Sequence, residues 1–479
     1  MSRSSIFTRF LVSTALALTF AAAAPAQSLR LPPHEKVVLK NGLTVLLLEK
    51  RGVPIVSFVA LVKSGATADP AGQEGLAAIT AGLLRKGTKS RTAQQFSADL
   101  DFIGGEFSAD AGEDYTRVSA EFLTKDLGRG LELFSDALLH PVFPQEEADK
   151  LLRQSLDGIK AAKDDAQSVL TAYYDGYLFG AHPYARPAGG DEVSLERIRR
   201  EAILRFYETQ YAPGNTILAV AGDFSAAEMR KRIEESLGGW AAKAVPAAAL
   251  PAAAPAKGKR LLLVDKPDST QTFFAVGNVG IARTDPDRTA IRLVNAIFGG
   301  RFTSLLNEEL RVESGLTYGA VSYFDSRKAP GPFLLFSYTQ NATTVPALDK
   351  ALEVLRKLHQ DGVTKEQLDS ARTYIKGQFP PTIETSMQLA SLIASNEFYG
   401  LTDSEVNELE ARLDAVTPEV ARQVIAKHFP LENLVFVLIG KAAEIRPAVE
   451  KYAGQRDARE IAEPGFWPPP VGVPAPAPK

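Results

Sequence analysis

"YAPGNTILAVAGDFS" (residues 211–225) is matched further along the chain by "FPLENLVFVLIGKAA" (residues 429–443). Asn215 aligns with Asn433 and Gly222 with Gly440, both at an offset of 218 residues. Each stretch begins an apolar run after Asn and stops it at Gly. A run bounded in this way reads as a buried strand. Each is followed by a helical pattern, "AAEMRKRIEESLGGW" in the first case and "AEIRPAVEKYAG" in the second. A strand–helix unit repeated at the ends of two similar lengths of chain implies two bodies of one fold.

Between the two bodies lies "AAKAVPAAALPAAAPAKG" (241–258), with prolines at 246, 251 and 255 that rule out a continuous helix. It reads as an extended linker. The domains are therefore set at 27–240 and 259–460, with a Pro-rich tail at 461–479 that is expected to be disordered from Pro464 onward. In the first half, "KVVLKNGLTVLLLEK" places Asn41-Gly42 between two β-rich runs, a hairpin signal. "IVSFVALVKSGA" gives another strand. Helices are expected at 75–88, at about 92–104 and from Asp126 to about Asp164. The second half runs similarly from "RLLLVDKPDSTQTFFAVGNVG". Strands and helices in blocks predict an α+β class: two homologous domains, each a largely antiparallel sheet with helices packed on it.

The first 26 residues carry Arg3 and Arg9, an apolar run from Phe10 to Ala23, and Ala24-Pro25-Ala26 before Gln27. This is the layout of a cleaved secretory signal peptide. It predicts an exported, periplasmic protein. Loss of two arginines takes the formal net charge from −3 to −5. No later stretch is long and apolar enough to span a bilayer, and no basic patch points to nucleic acid. The chain has no cysteine, which excludes disulfides, thiolate catalysis and Cys-type zinc sites.

The usual catalytic templates are missing. There is no G-x-S-x-G and no S-x-x-K. "GLLRKGTK" (82–89) has the wrong residue order for a phosphate-binding loop and no βαβ context. The histidines, at 34, 140, 182, 359 and 428, never pair at helical spacing. One helix is unusual. In "GLAAITAGLLRKGT" (75–88), Leu76, Ile79 and Leu83 form an apolar stripe, while Ala78, Ala81 and Gly82 leave a second face bare. An interior Gly there costs about 1 kcal/mol relative to Ala.

"GQEGLAAITAGLLRKGT" resembles the helix of the pitrilysin-type, or inverzincin, metallopeptidases, a family that includes insulin-degrading enzyme and mitochondrial processing peptidase. In that family H-x-x-E-H follows Gly-Leu-Ala and precedes Lys-Gly-Thr. Laid on this chain, the two zinc histidines fall on Ala78 and Gly82, and the catalytic Glu on Ala81. The last ligand, a Glu on a later helix, falls on Gly158 in "SLDGIKAAKDD", beside Asp157. All four positions lack a ligating atom, so the resemblance implies no metal and no cofactor in this chain. A close helix–helix contact through small residues is the plainer account of the same bare face. The resemblance runs from about residue 35 to 450 and takes in "YAPGN" (211–215) and "TYIKGQFPPTIETSMQLASLIASNEFYGL" (373–401).

"FGGRFTSLLNEELRVESGLTYGAVSYF" (298–324) resembles the family's second-half segment R-x-x-x-G-L-x-Y, and it is intact. Thr303 or Ser304 can cap a helix here, and Gly315 can end it. Arg311 would lie in its last turns, with Tyr318 beginning the next strand. The resemblance implies that Arg311 and Tyr318 bind the substrate carbonyl, a role suited to their N–H and O–H donors. The alternative is an Arg311–Glu308 pair on a solvated face. Some bacterial relatives look like split enzymes, with zinc in one subunit and the Arg/Tyr pair in the other. This chain resembles the second kind: a non-zinc subunit acting on peptides beside a homologous zinc-bearing partner. A structural or peptide-binding relative without a hydrolytic partner is the other reading. A metal held by Asp110, Glu113 and Asp114 is a third.

Overall fold

A computed structural model describes residues 30–246 and 250–468. The signal segment at 1–26 and the tail beyond Pro468 lie outside the described residues. Within them the chain builds two sheets of six strands. The first contains β1 (Glu35–Val38), β2 (Thr44–Glu49), β3 (Ile55–Val62), β4 (Glu106–Ala111), β5 (Thr116–Leu123) and β6 (Thr216–Gly222), in the order β1-β2-β6-β3-β5-β4. The second contains β7 (Arg260–Asp265), β8 (Gln271–Val279), β9 (Ala320–Phe324), β10 (Pro332–Gln340), β11 (Val435–Gly440) and β12 (Gln455–Glu460), in the order β12-β7-β11-β8-β10-β9. The repeated strands, β6 and β11, stand third in their sheets. Each runs parallel to one neighbour, β2 or β7, and antiparallel to the other, β3 or β8. The fold is α+β and most strand pairs are antiparallel. The edges differ: β1 reaches β2 by the hairpin over Gly42, where φ is 92°, whereas β12 arrives from the far end of the chain and lies parallel to β7.

Strands β6 and β11 are buried at every position. A strand with no polar face needs cover on both sides. On one side each sheet carries helices of its own half, which form the two largest cores. On the other side the halves exchange helices. Ala166–Phe179 lays Val169, Leu170, Tyr173 and Tyr177 against Leu262, Val264 and Val437 of the second sheet. Ser386–Tyr399 lays Leu389 and Ile393 against Leu48, Leu61 and Ile217 of the first. Burying each such side chain is worth about 1.5–3 kcal/mol, so the exchange fastens the two halves to each other. Both helices obey local rules. Asp165 caps the first and Gly180 ends it at φ 58°; a Thr385–Gln388 capping box starts the second and Gly400 ends it at φ 68°. The chain boundaries at 240 and 259 thus divide the sheets, while these two helices lie across that division.

Two connecting segments are more tightly held than their composition implies. In the linker, residues 241–246 and 250–259 carry no helix or strand, yet Leu250, Ala253 and Ala256 pack on the second sheet's core. Asn278 Oδ1 accepts from the Ala256 N–H at 2.9 Å. The expected disorder from Pro464 does not extend through Trp467. Phe466 is buried, and Gly465 N–H donates to Glu192 Oε2 at 2.8 Å. Lys163, itself 2.5 Å from Glu192, donates to the Glu463 and Gly465 carbonyls. Two aromatic rings and a buried ion pair override the Pro-rich composition.

Candidate functional site

The helix Leu76–Leu83 is capped from a distance. Asp69 accepts from the Gly75 and Ala77 N–H groups, each at 2.8 Å, and burial pushes its carboxyl up to about 8 against those two donors. Gly75 sits at φ 94°, and a Cβ there would lie 2.8 Å from the Gly189 carbonyl oxygen. Along this helix Ala78 is half-buried, Ala81 is 1% exposed, and Gly82 is half-buried. Leu151, on the adjoining helix Gln145–Ala162, closes over Gly82; a Cβ there would sit 3.0 Å from Leu151 Cδ2. Gly158, seven residues on, is exposed with open space around it. Part of the bare stripe is therefore a close helix–helix contact. None of the four side chains offers an atom to a metal, so zinc does not fit these positions.

Asp110, Glu113 and Asp114 do not form a metal set either. Asp114 accepts from the Tyr184 hydroxyl and the Lys328 N–H, both at 2.7 Å. Glu113 lies 3.7 Å from Arg327, which also meets Asp175 and Asp325 at 2.7 Å. These groups tie the halves together. Among the described residues, Asp285, Asp287 and His428 are the one cluster close enough to share a cation, and Lys427 already holds Asp287 at 2.7 Å.

The Arg311 segment is built differently. Ser304, not Thr303, caps its start, accepting from Asn307 N–H at 3.4 Å. Asn307 Oδ1 in turn accepts from Ala320 N–H at 3.0 Å, fixing the helix to β9. From Glu308 to Glu313 the helix widens to a π-turn, closed by Ser314 N–H on the Glu309 carbonyl, and Gly315 ends it at φ 59°. Such turns occur mostly as single insertions and often at functional sites. Thr317 is buried, and its hydroxyl accepts from Gly319 N–H and from Ser337. That pinned turn holds Tyr318 outward, 72% exposed and two residues before β9 rather than within it.

Arg311 Cζ stands 4.3 Å from the Tyr318 ring centroid and 4.6 Å from that of Phe302. Arg311 makes no ion pair among the described residues, so the expected alternative pairing with Glu308 is absent. Its neighbour Glu309 is engaged by Lys350 and Lys357. The rings hold the guanidinium while its N–H donors stay open. Phe302 went unread in the sequence; its only signal is an aromatic residue nine positions before Arg311.

Two successive stretches of the chain match family models, the second beginning before the linker. Residues 44–192 match the model described as insulinase (peptidase family M16), and residues 197–375 match the peptidase M16 inactive domain. The chain belongs to peptidase family M16. It is 25% identical over 425 residues to an uncharacterized zinc protease of Streptomyces coelicolor, covering 86% of this chain and 92% of that one. It is 23% identical to the uncharacterized zinc protease YmxG of Bacillus subtilis, over 83% of this chain and 97% of that one. The crystal structure of a peptidase M16 inactive domain from Pseudomonas fluorescens superposes with a TM-score of 0.80 at 25% identity, covering 85% of this chain and 98% of that one. A protease from Helicobacter pylori shares the fold, with a TM-score of 0.81 at 21% identity over 86% of this chain and 100% of that one.

Proposed function

We propose that this chain is the non-zinc subunit of an exported, periplasmic heterodimeric zinc metallopeptidase. Its partner is a homologous subunit that carries H-x-x-E-H and supplies the metal and the general base. The observation that carries this reading is Arg311: an arginine without a carboxylate partner among the described residues, stacked on an exposed tyrosine, in a chain whose zinc positions hold no donor. Arg311 and the Tyr318 hydroxyl donate to the carbonyl oxygen of the peptide bond. Charge grows on that oxygen as water adds, so donors already in place stabilise the transition state more than the substrate.

The test is peptide hydrolysis by the mature chain alone, by the zinc-motif homologue alone and by the two mixed. The expected outcome is activity in the mixture that chelators abolish, and none from this chain alone. Chelator-resistant hydrolysis by the pure chain would overturn the reading. A mixture that forms no complex and gains no activity favours the structural alternative.

A further inference from the structure

The second half contains a cavity of about 520 Å³ between the helices Arg288–Phe298 and Lys365–Gln378 and strand β9. Three arginines line it, Arg283, Arg288 and Arg292, against a single carboxylate, Glu405. That carboxylate is already taken. Arg288 Nε donates to it at 3.0 Å and Arg412 at 2.8 Å. Arg283 and Arg292 have no carboxylate within ion-pair distance among the described residues.

The two free arginines also act on each other. Burial and the nearby charge of Arg283 both lower the pKa of Arg292. Arg292 is exposed to solvent along the open side of the cavity, with many protein atoms around its base. The Phe379 ring centroid lies 5.9 Å from its guanidinium carbon, and Tyr374 also acts on it. Two like charges held in one concavity without a counter-ion cost stability in the free protein. That cost is recovered when an anion arrives, and an arginine's planar fork suits a carboxylate best. The tyrosines Tyr323 and Tyr374 and apolar side chains such as Ile291, Phe324 and Leu409 line the rest of the wall.

We propose that this cavity is a subsite for a carboxylate of the peptide substrate, either an acidic side chain or the C-terminal carboxylate. The assignment rests on the peptidase reading above and specifies its substrate class. Tyr323 follows Tyr318 by five residues along the approach to β9 and the strand itself. The cavity and the Arg311–Tyr318 pair are thus joined through one short stretch of chain, and a single extended peptide is the ligand that would reach both.

The experiment is direct binding to the full mature chain without any partner, so that it does not depend on hydrolysis. The probe is a short N-terminally labelled peptide of neutral sequence with one glutamate, read by fluorescence anisotropy. Its companions replace the glutamate by glutamine, amidate the C-terminus, or do both. Losing the engaged carboxylate should weaken binding by about tenfold or more, the scale of a charge-assisted hydrogen bond. Which single replacement has this effect identifies the source of the anion. Arg283→Gln and Arg292→Gln should each reduce the preference, with melting temperature unchanged or raised because a repulsive charge is gone. Equal binding of all four peptides, no measurable binding of the acidic one, or a preference that survives both folded variants would overturn the proposal. None of those results touches the assay of the mixed subunits.

Discussion

Putting the three family ligands and the catalytic Glu back tests whether the first half still has the shape of a zinc site. The perturbation is Ala78→His, Ala81→Glu, Gly82→His and Gly158→Glu together. At Gly82 even a Cβ would sit 3.0 Å from Leu151 Cδ2, so an imidazole must displace that side chain. Overpacking of this kind costs about 1–3 kcal/mol. At Ala81, which is 1% exposed, a carboxyl enters apolar surroundings without a partner, at about 1–3 kcal/mol more. The sum is a large share of a typical stability of about 5–15 kcal/mol. Gly158→Glu differs, because its site is open and helical, and replacing Gly there should gain up to about 1 kcal/mol.

The assay pairs metal analysis with thermal melting in the presence and absence of zinc. A true site would show itself, since a ligand at a thousand times its Kd stabilises by about 4 kcal/mol. The expected outcome is a destabilised quadruple variant with no stoichiometric zinc and no zinc-dependent rise in melting temperature. Leu151→Ala in the same background should recover part of the packing loss. One zinc per chain, with a clear rise in melting temperature, would refute the claim that Leu151 and the buried Ala81 position have closed this face.

Other outcomes follow from the same contacts. Tyr318→Phe keeps the ring beside Arg311 and deletes one hydroxyl, so hydrolysis by the mixed subunits should fall by about 100–1,000-fold while size-exclusion chromatography shows assembly unchanged. Phe302→Ala removes one of the two rings, 4.6 Å from the guanidinium, and should cost only the few-fold expected of about 0.5–1 kcal/mol. Phe466→Ala should lower stability by about 3–5 kcal/mol in a denaturant melt, an effect that a disordered tail would not produce. Asp136 is buried, yet hydrogen bonds from Ser90, Thr88 and Arg91 hold its carboxyl below the usual range. Its contribution is therefore present above the unfolded value and lost as pH falls through the folded one. Asp136→Asn should cost about 3 kcal/mol near neutrality and flatten the acid side of the stability profile.

The sequence carried the sheets more openly than the helices. The 218-residue offset links two strands that occupy the same place in their sheets. Asn41-Gly42 lies in the loop of a real hairpin. The helix exchange was not read, because amphipathic spacing tells which side of a helix is buried but not which sheet it covers. A hint was present: "TILAVAG" and "VFVLIG" have no polar face, so something had to cover their second side. The end of the chain misled because proline content says nothing about a Phe-Trp pair that finds a core. At the candidate site, Arg311 and Tyr318 were visible as a spaced pair. The π-turn and the Phe302 ring were not, since the first is a backbone hydrogen bond from Ser314 to Glu309 and the second depends on how the chain before Ser304 places the ring beside Arg311.

Arg311 is the clearest support for the proposed substrate-binding role of the second half. Glu308, Glu309 and Glu313 share its helical segment, so ion-pair partners were close at hand in sequence. Glu309 is drawn instead to Lys350 and Lys357, and the guanidinium rests on two exposed rings. Stacked on aromatic faces, the guanidinium keeps its N–H donors available to solvent or to a ligand. The first half shows the opposite pattern. At Gly82, where the family places a metal ligand, Leu151 fills the space with hydrocarbon, and Asp114 and Glu113 are spent on contacts with the second half. One half has closed its polar positions into packing, while the other keeps arginines at Arg311, Arg283 and Arg292 without counter-ions among the described residues. That division agrees with the proposed function, in which this chain binds and orients a peptide and a partner subunit activates water.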